Sequence, residues 1–194
     1  MIPLLIATRN AHKTREFAAL LGDKFSVSDL TNNLHAPEVE ETGTTFEENA
    51  RLKAVSASEF SRDLLVLADD SGLEVDALAS APGVRSARYA GEDATDVDNV
   101  RKLLRASDGM KNRAARFRCV IALARDGKVI HIGNGSVEGV IAEGIHGTNG
   151  FGYDPIFIPQ GFDRTFAELS AAEKGAISHR AKAVASVKLF LATA

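Results

Sequence analysis

A run of five consecutive apolar residues at positions 64–68 constrains the fold more than any other segment of the chain. The run lacks the alternation of apolar and polar residues that marks a strand with one wet face. It therefore predicts a central strand that is buried on both faces, in a sheet with helices on either side. The run ends at Asp69, Asp70, Ser71 and Gly72, which we interpret as a polar turn after the strand.

Predicted strands and helices alternate in the first part of the chain, and antiparallel strands follow in the second part. Apolar or alternating runs predict strands at 3–8, 25–28, 64–68, 117–123, 129–136 and 137–145. Asp126-Gly127 predicts a hairpin turn between the strands 117–123 and 129–136. Helical spacing and cap residues predict helices at 13–21, from 44 or 45 to about 60, from Thr95, from Ser170 and from about Ser178. The second of these helices opens with two overlapping capping boxes, Thr44 with Glu47 and Thr45 with Glu48. This order of elements indicates an α/β fold with a mixed sheet. A length of 194 residues fits a single domain, 1–194, with room for two lobes.

Composition narrows the classes of protein to which the chain can belong. The formal net charge is −3 at pH 7, which argues against a nucleic-acid-binding protein, since such proteins usually carry a basic face. The single cysteine, Cys119, excludes an intrachain disulfide and favours a reducing compartment. The chain begins without a basic leader, and its first apolar run is too short to span a membrane. We therefore expect a cytoplasmic protein with no nucleic-acid or membrane partner.

The first candidate site follows the first predicted strand, where a polar segment leads into a helix. Free backbone N–H groups and the positive end of a helix dipole bind phosphate well, and a lysine adds its charge there. The segment lacks the glycines of a P-loop, so a plain connection with an exposed lysine remains an alternative. Its residues are Thr8, Arg9, Asn10, Ala11, His12 and Lys13.

Carboxylates form the second candidate site. An acidic loop contains Glu38, Glu40 and Glu41, and Asp69 and Asp70 follow the apolar run. Buried paired carboxylates are costly unless cations balance them, and open α/β sheets bind ligands at the carboxyl ends of strands. Mg²⁺ commonly takes one or two carboxylates together with substrate phosphates and waters. The two aspartates therefore predict metal or water chemistry, whereas the acidic loop by itself is more typical of a solvated surface.

Two later segments carry residues that suit a nucleotide. The glycine-rich segment 147–155 includes Phe151 and Tyr153, whose rings either stack on a flat base or pack into the core. The segment 174–180 places cationic side chains near a predicted helix start, where they suit phosphate or the carbonyl oxygen of a base. A helix start with surface charges is the alternative for that segment. Its candidate residues are Lys174, His179 and Arg180.

Taken in this order, these patches resemble the inosine triphosphate pyrophosphatase family, the XTP/dITP pyrophosphatases. The resemblance extends over essentially the whole chain, and the stretches are specific as a set. They are Ala7-Thr8-x-Asn10-x-x-Lys13-x-x-Glu16, Glu41-Thr42-Gly43-x-Thr45-Phe46-x-x-Asn49-Ala50-x-x-Lys53-Ala54, Ala68-Asp69-Asp70-Ser71-Gly72-Leu73, Pro82-Gly83-x-x-Ser86-Ala87-Arg88, Gly150-Phe151-Gly152-Tyr153-Asp154-Pro155 and Ser178-His179-Arg180. Arg9 and Asn149 stand where many relatives have small residues, which bears on the expected substrate preference rather than on the reaction.

The resemblance implies a fold and a phosphate-binding centre. The implied fold is an elongated mixed β-sheet flanked by helices, with two lobes around a central nucleotide-binding cleft, in an enzyme that is typically a homodimer. Residues 8–13 are expected to hold the triphosphate together with Lys53. Asp70 is expected to be the general base and a Mg²⁺ ligand. Glu41 is the expected second metal ligand, with Glu38 as its competitor.

The resemblance also implies contacts on the side of the base. Ser71 is expected to touch the substrate, and Asp69 is expected to be the structural partner that holds the turn 69–72 in place. Phe151 is expected to stack on the purine. The implied base-pocket residues are Phe151, Gly152, Tyr153 and Asp154, and the implied further contacts are Lys174, His179 and Arg180.

The implied reaction is the Mg²⁺-dependent hydrolysis of deaminated purine nucleoside triphosphates, such as ITP, dITP and XTP, to the monophosphate and pyrophosphate. One alternative is a Maf-like pyrophosphatase that acts on other modified nucleotides. Another is a nucleotide-binding module without catalysis, against which the paired aspartates count, since binding alone needs neither of them.

Overall fold

The computed structural model describes residues 1–33 and 35–193. Within these ranges the strands are β1 (Ile2–Ile6), β2 (Phe25–Asp29), β3 (Leu65–Val75), β4 (Ala114–Arg125), β5 (Lys128–Ile141) and β6 (Phe157–Pro159). The α-helices are α1 (Ala11–Leu21), α2 (Phe46–Phe60), α3 (Asp96–Ala106), α4 (Ala171–Ile177) and α5 (His179–Thr193). Short 3₁₀ helices lie at Asp76–Leu78, Gly83–Arg88, Asp154–Ile156 and Phe166–Glu168.

The strands form a six-stranded sheet in the order β2-β1-β3-β4-β5-β6. β1 pairs in parallel with β2 and with β3, so that Leu4 lies opposite both Val27 and Leu65. β5 pairs antiparallel with β6. Asp126 and Gly127 join β4 to β5 with φ angles of 50° and 73°, the positive values of a tight hairpin turn. The predicted mixed sheet flanked by helices is confirmed.

The apolar run 64–68 belongs to a longer buried strand, and the predicted turn at 69–72 is wrong. β3 continues through these residues to Val75, and both Leu73 and Val75 are fully buried. A strand tolerates buried polar side chains when they have partners, and the aspartates have them, as described below. The backbone N–H of Leu73 also donates to the hydroxyl of Ser86 at 2.9 Å.

The end of the sheet differs from the prediction in two further ways. The predicted strands 129–136 and 137–145 are the single 14-residue strand β5, which ends at Ile141. β6 is absent from the prediction because three residues are too few to show a strand period. Its pairing with β5 is a long-range contact that no local pattern encodes.

Cap residues set the ends of the helices. Asn10 caps α1, which begins two residues earlier than predicted. The helix ends before Gly22, which has a φ of 77°. Of the two overlapping capping boxes predicted for α2, the one formed by Thr45 and Glu48 is confirmed. Among the described residues, no helix combines the length and the apolarity needed to cross a membrane.

The chain forms two compact units, in agreement with the expected lobes. The first unit contains residues 1–70, 119–135 and the chain from 180 onward. Its core includes Leu4, Ile6, Phe17, Leu21, Leu67, Ile121 and Val184. The second unit contains residues 71–118 and 136–179. Its core includes Leu73, Val75, Leu103, Phe117, Phe157 and Phe166.

Candidate active site

The predicted phosphate-binding segment 8–13 lies between β1 and α1 in the first unit. Asn10 accepts hydrogen bonds from the N–H groups of His12 (2.9 Å) and Lys13 (3.3 Å). Its own N–H donates to the hydroxyl of Thr8 at 3.1 Å. Arg9 donates to the carbonyl of Ala36 at 2.9 Å. The segment is therefore pre-shaped by its own polar groups, and Ala11 and His12 at the helix start are exposed.

Asp69 is a fully buried anion that is matched by cations. Both of its carboxylate oxygens lie 2.9 Å from Lys13 Nζ, and Oδ2 lies 3.8 Å from Arg180 Nε. Burial by itself would raise the pKa of Asp69, but the charges of Lys13, Arg180 and Lys53 outweigh it and lower the pKa to about 2. Arg180 also donates to Glu16 at 3.0 Å. These contacts support the predicted structural role of Asp69.

Asp70 lies beside a second lysine with a different balance of forces. Its Oδ1 is 3.4 Å from Lys53 Nζ, and its Oδ2 accepts a hydrogen bond from Asn49 at 3.1 Å. Burial and the charge of Glu41 raise the pKa of Asp70 above its ordinary value, against the opposing pull of the lysines. Burial acts to lower the pKa of Lys53, but the surrounding carboxylates, Asp70 foremost, raise it overall. Lys53 is thus held as a cation next to the proposed general base.

Two carboxylates converge on Lys53. Glu41 Oε1 lies 2.7 Å and Asp70 Oδ1 lies 3.4 Å from Lys53 Nζ, so the two oxygens are at most about 6 Å apart. The competitor Glu38 is exposed. Among the described residues, no group of three or more His, Cys, Asp or Glu side chains is arranged as a metal site. Two hard oxygen ligands nevertheless fit Mg²⁺ that arrives with substrate phosphates and waters.

The residues predicted to line the base pocket, 151–154, lie in the second unit, in the segment before β6. Asp154 Oδ2 accepts from the N–H of Phe151 at 2.9 Å and from Lys174 Nζ at 2.6 Å. Gly150 has a φ of 75°, and a Cβ there would come 1.9 Å from Asp154 Oδ2. Lys174 Nζ also lies 5.3 Å from the ring centre of Phe151. The buried ion pair therefore organises the loop around the ring of Phe151, which is itself half-buried.

The two aromatics of this loop have different surroundings. Tyr153 is buried in the core, where its hydroxyl donates to the carbonyl of Ser86 at 2.8 Å. Burial raises the pKa of that hydroxyl. Gly152 donates its N–H to Asp96 at 2.7 Å. Of the two alternatives for these rings, core packing describes Tyr153, and Phe151 retains the exposure that stacking on a base requires.

Two further predicted site residues, Ser71 and His179, each stand next in sequence to a residue described above. Ser71 follows Asp70 directly on β3 and is half-buried. His179 begins α5 and is buried, with its ring stacked on Phe117 at a centroid distance of 4.8 Å and an angle of 9°. Within the first unit, Lys13 contacts Asp69, and Lys53 contacts both Asp70 and Glu41. The structure also adds Asn49, which the site prediction omitted.

Comparison with known proteins identifies the family. A protein-family model described as the Ham1 family matches residues 4–190. The chain belongs to the Ham1 family. Similar proteins include a dITP/XTP pyrophosphatase of Bacillus licheniformis, 48% identical over 98% of each chain. Another is a dITP/XTP pyrophosphatase of Geobacillus kaustophilus, 51% identical over 95% of this chain and 91% of the relative.

Solved structures of Ham1 proteins have the same fold. The Staphylococcus aureus Ham1 protein is 42% identical, with a TM-score of 0.87 and 98% of each chain covered. A HAM1 protein of Coxiella burnetii is 44% identical, with a TM-score of 0.88 over the whole of both chains. The family expected from the sequence motifs and its fold are therefore confirmed.

Proposed function

We propose that this Ham1 protein hydrolyses deaminated purine nucleoside triphosphates (ITP, dITP and XTP) to the monophosphate and pyrophosphate, with Mg²⁺ as cofactor. The observation that carries the proposal is the buried arrangement of Asp69 and Asp70 with Lys13 and Lys53. The two relatives described above, which are similar to this chain over nearly their whole length, carry the name dITP/XTP pyrophosphatase. The whole chain, 1–194, would act as one catalytic domain in a cytoplasmic homodimer, without nucleic acid or membrane as partner.

The chemistry follows from the residues of the first unit. Asp70 orients a water and takes its proton as the water attacks the α-phosphorus, and the bond between that phosphorus and the bridging oxygen breaks to release pyrophosphate. The raised pKa of Asp70 makes its carboxylate a better base than an exposed one. Lys53 and the exposed N-terminal end of α1, at Ala11 and His12, stabilise the negative charge of the phosphates. Asp70 and Glu41 would hold Mg²⁺, which when bound neutralises phosphate charge and stabilises the leaving group.

Base selection is assigned to the ring of Phe151 and to a hydrogen-bond donor that faces the base. The half-buried ring of Phe151 supports stacking on a purine. Position 6 carries an acceptor oxygen in hypoxanthine and xanthine but a donor amine in adenine. A hydrogen-bond donor from His179, Arg180 or a backbone N–H would pair with this oxygen in hypoxanthine and xanthine. Adenine leaves the same donor unpaired, at a cost of ~1–3 kcal/mol. ATP is therefore expected to be a poor substrate.

A pyrophosphate-release panel tests the proposal. Standard and deaminated triphosphates are each incubated with the protein and Mg²⁺, and products are separated by chromatography. We expect dITP, ITP and XTP to be cleaved far faster than ATP. The variant Asp70→Asn should lose about 10²-fold or more of the turnover, as removal of a general base does, while still binding nucleotide. Comparable cleavage of ATP, a preference for modified pyrimidine nucleotides, or binding without any product would each refute it.

A further inference from the structure

Asn49 is a buried amide whose two ends meet two parts of the carboxylate site. It is the fourth residue of α2 and is fully buried. Its Oδ1 accepts from the N–H of Gly43 at 2.8 Å, and its Nδ2 donates to Asp70 Oδ2 at 3.1 Å. A backbone N–H can only donate, so the oxygen of the amide must face Gly43. The amide nitrogen is therefore directed at Asp70.

This orientation makes the two oxygens of Asp70 unequal. Oδ2 is occupied by a neutral donor from Asn49. Oδ1 faces Lys53, which also binds Glu41. A carboxylate whose one oxygen is held by a buried amide cannot rotate freely about its last bond. Its other oxygen is thereby presented in one direction, which is what a base that must meet a water requires.

The same amide restrains the acidic loop. Gly43 stands two residues after Glu41, and the hydrogen bond from its N–H anchors the chain at that point. A Cβ on Gly43 would lie 2.6 Å from Asn49 Oδ1 and 2.7 Å from the Cβ of Glu48. A glycine is therefore required for the close approach of the loop to the amide. Asn49 thus connects the segment that carries Glu41 with the carboxylate of Asp70.

We propose that Asn49 is a positioning residue that sets the orientation of Asp70 and ties the loop bearing Glu41 to it. The proposal rests on the function proposed above, in which Asp70 activates water. Asn49 itself touches neither water nor phosphate in this role. Its loss is expected to lower the rate of the chemical step and to leave nucleotide affinity nearly unchanged.

The chain contains a matched control in Asn99. It is likewise the fourth residue of a helix that opens with a capping box, α3, and it is buried. Both ends of its amide also form hydrogen bonds, here with backbone groups: it accepts from Ala90 N–H at 2.7 Å and donates to Ala87 O at 2.9 Å. Replacing either asparagine by leucine keeps the side-chain shape and removes two hydrogen bonds. Only one of the two replacements touches Asp70.

The experiment compares Asn49→Leu with Asn99→Leu in steady-state hydrolysis of dITP, thermal unfolding and amide exchange by NMR. We expect Asn49→Leu to lower kcat by about 10²-fold, the cost of a misplaced catalytic group, with KM within about threefold of the wild type. The Gly43 amide should lose its exchange protection in Asn49→Leu and keep it in Asn99→Leu. Both variants should lower Tm by similar amounts, while Asn99→Leu keeps kcat within about threefold.

Gly43→Ala disturbs the same hydrogen bond at its Gly43 end. It provides a second test of the proposal should Asn49→Leu fail to fold. Its methyl group must displace the amide, so kcat is expected to fall while KM holds. A kcat within threefold of the wild type in Asn49→Leu or Gly43→Ala, or an equal loss of kcat in Asn99→Leu, would overturn the positioning role. A wild-type enzyme that releases no pyrophosphate from dITP would instead overturn the proposed function, and this role with it.

Discussion

Replacing Asp69 by asparagine removes a buried charge that holds two cations. The side chain of Asp69 is 1% exposed and lies 2.9 Å from Lys13 Nζ and 3.8 Å from Arg180 Nε. Asparagine has nearly the same shape, so the change isolates the charge from the packing. After the substitution, Arg180 keeps Glu16 as a partner. Lys13, which is 17% exposed, retains some access to water.

The size of the effect follows from the pKa of Asp69. A fall from 3.8 to about 2 on folding corresponds to about 2–3 kcal/mol, since one pKa unit is worth a little over 1 kcal/mol. The folded-state pKa lies below the unfolded one, so this stability is fully present above pH 4 and is lost as pH falls through 2. Breaking a buried pair typically costs about 3–5 kcal/mol, and the partial exposure of Lys13 moves the expectation to the lower end. We expect Asp69→Asn to lower the free energy of unfolding at pH 7 by about 2–3 kcal/mol.

Urea denaturation followed by circular dichroism at pH 7, 5, 4 and 3 measures this difference. The gap between wild type and variant should be constant from pH 7 to 5 and shrink to about half by pH 3, as the linkage relation requires. Asp163→Asn is the control, because the side chain of Asp163 is 97% exposed and its ion pair with Arg164, at 3.9 Å, is long. It should unfold at the urea concentration of the wild type. A variant Asp69→Asn that matches the wild type at pH 7, or a gap independent of pH down to pH 3, would refute the assignment.

Three further predictions concern the loop of the second unit. Lys174→Met leaves the buried carboxylate of Asp154 without the cation that lies 2.6 Å away. We expect the free energy of unfolding, measured by urea denaturation, to fall by about 3–5 kcal/mol and KM for dITP, measured by steady-state kinetics, to rise. An unchanged KM would contradict the role of the ion pair. Tyr153→Phe removes the hydrogen bond to Ser86 and should cost about 1 kcal/mol with kcat preserved, so a large loss of kcat would place Tyr153 in the chemistry instead. Gly150→Ala forces a Cβ onto Asp154 at a φ of 75°, and should raise KM more than it lowers kcat; wild-type kinetics would show that the loop adapts without cost.

Local pattern in the sequence was enough to predict most of the elements. The unbroken apolar run at 64–68 predicted a strand buried on both faces, and Asp126-Gly127 predicted the hairpin that the structure contains. Thr45 with Glu48 marked the start of α2. These signals succeed because burial period, turn conformation and helix capping depend on residues within a few positions of one another. These local signals do not detect the three-residue strand β6, since the strand with which it pairs, β5, lies farther away along the chain.

The candidate site, like the fold, was predicted in part from the sequence and became complete in part only through the tertiary structure. The sequence predicted which residue types form the candidate site, because the family motifs carry the lysines and carboxylates in a specific order. It also suggested a turn at 69–72, because polarity rises abruptly there. The tertiary structure was needed to show that the strand continues, since Lys13 and Lys53 come from two different helices to neutralise Asp69 and Asp70. It also decided which polar residue in the helix, Asn49, is directed at Asp70, because a buried amide reveals its role only through the groups that satisfy it.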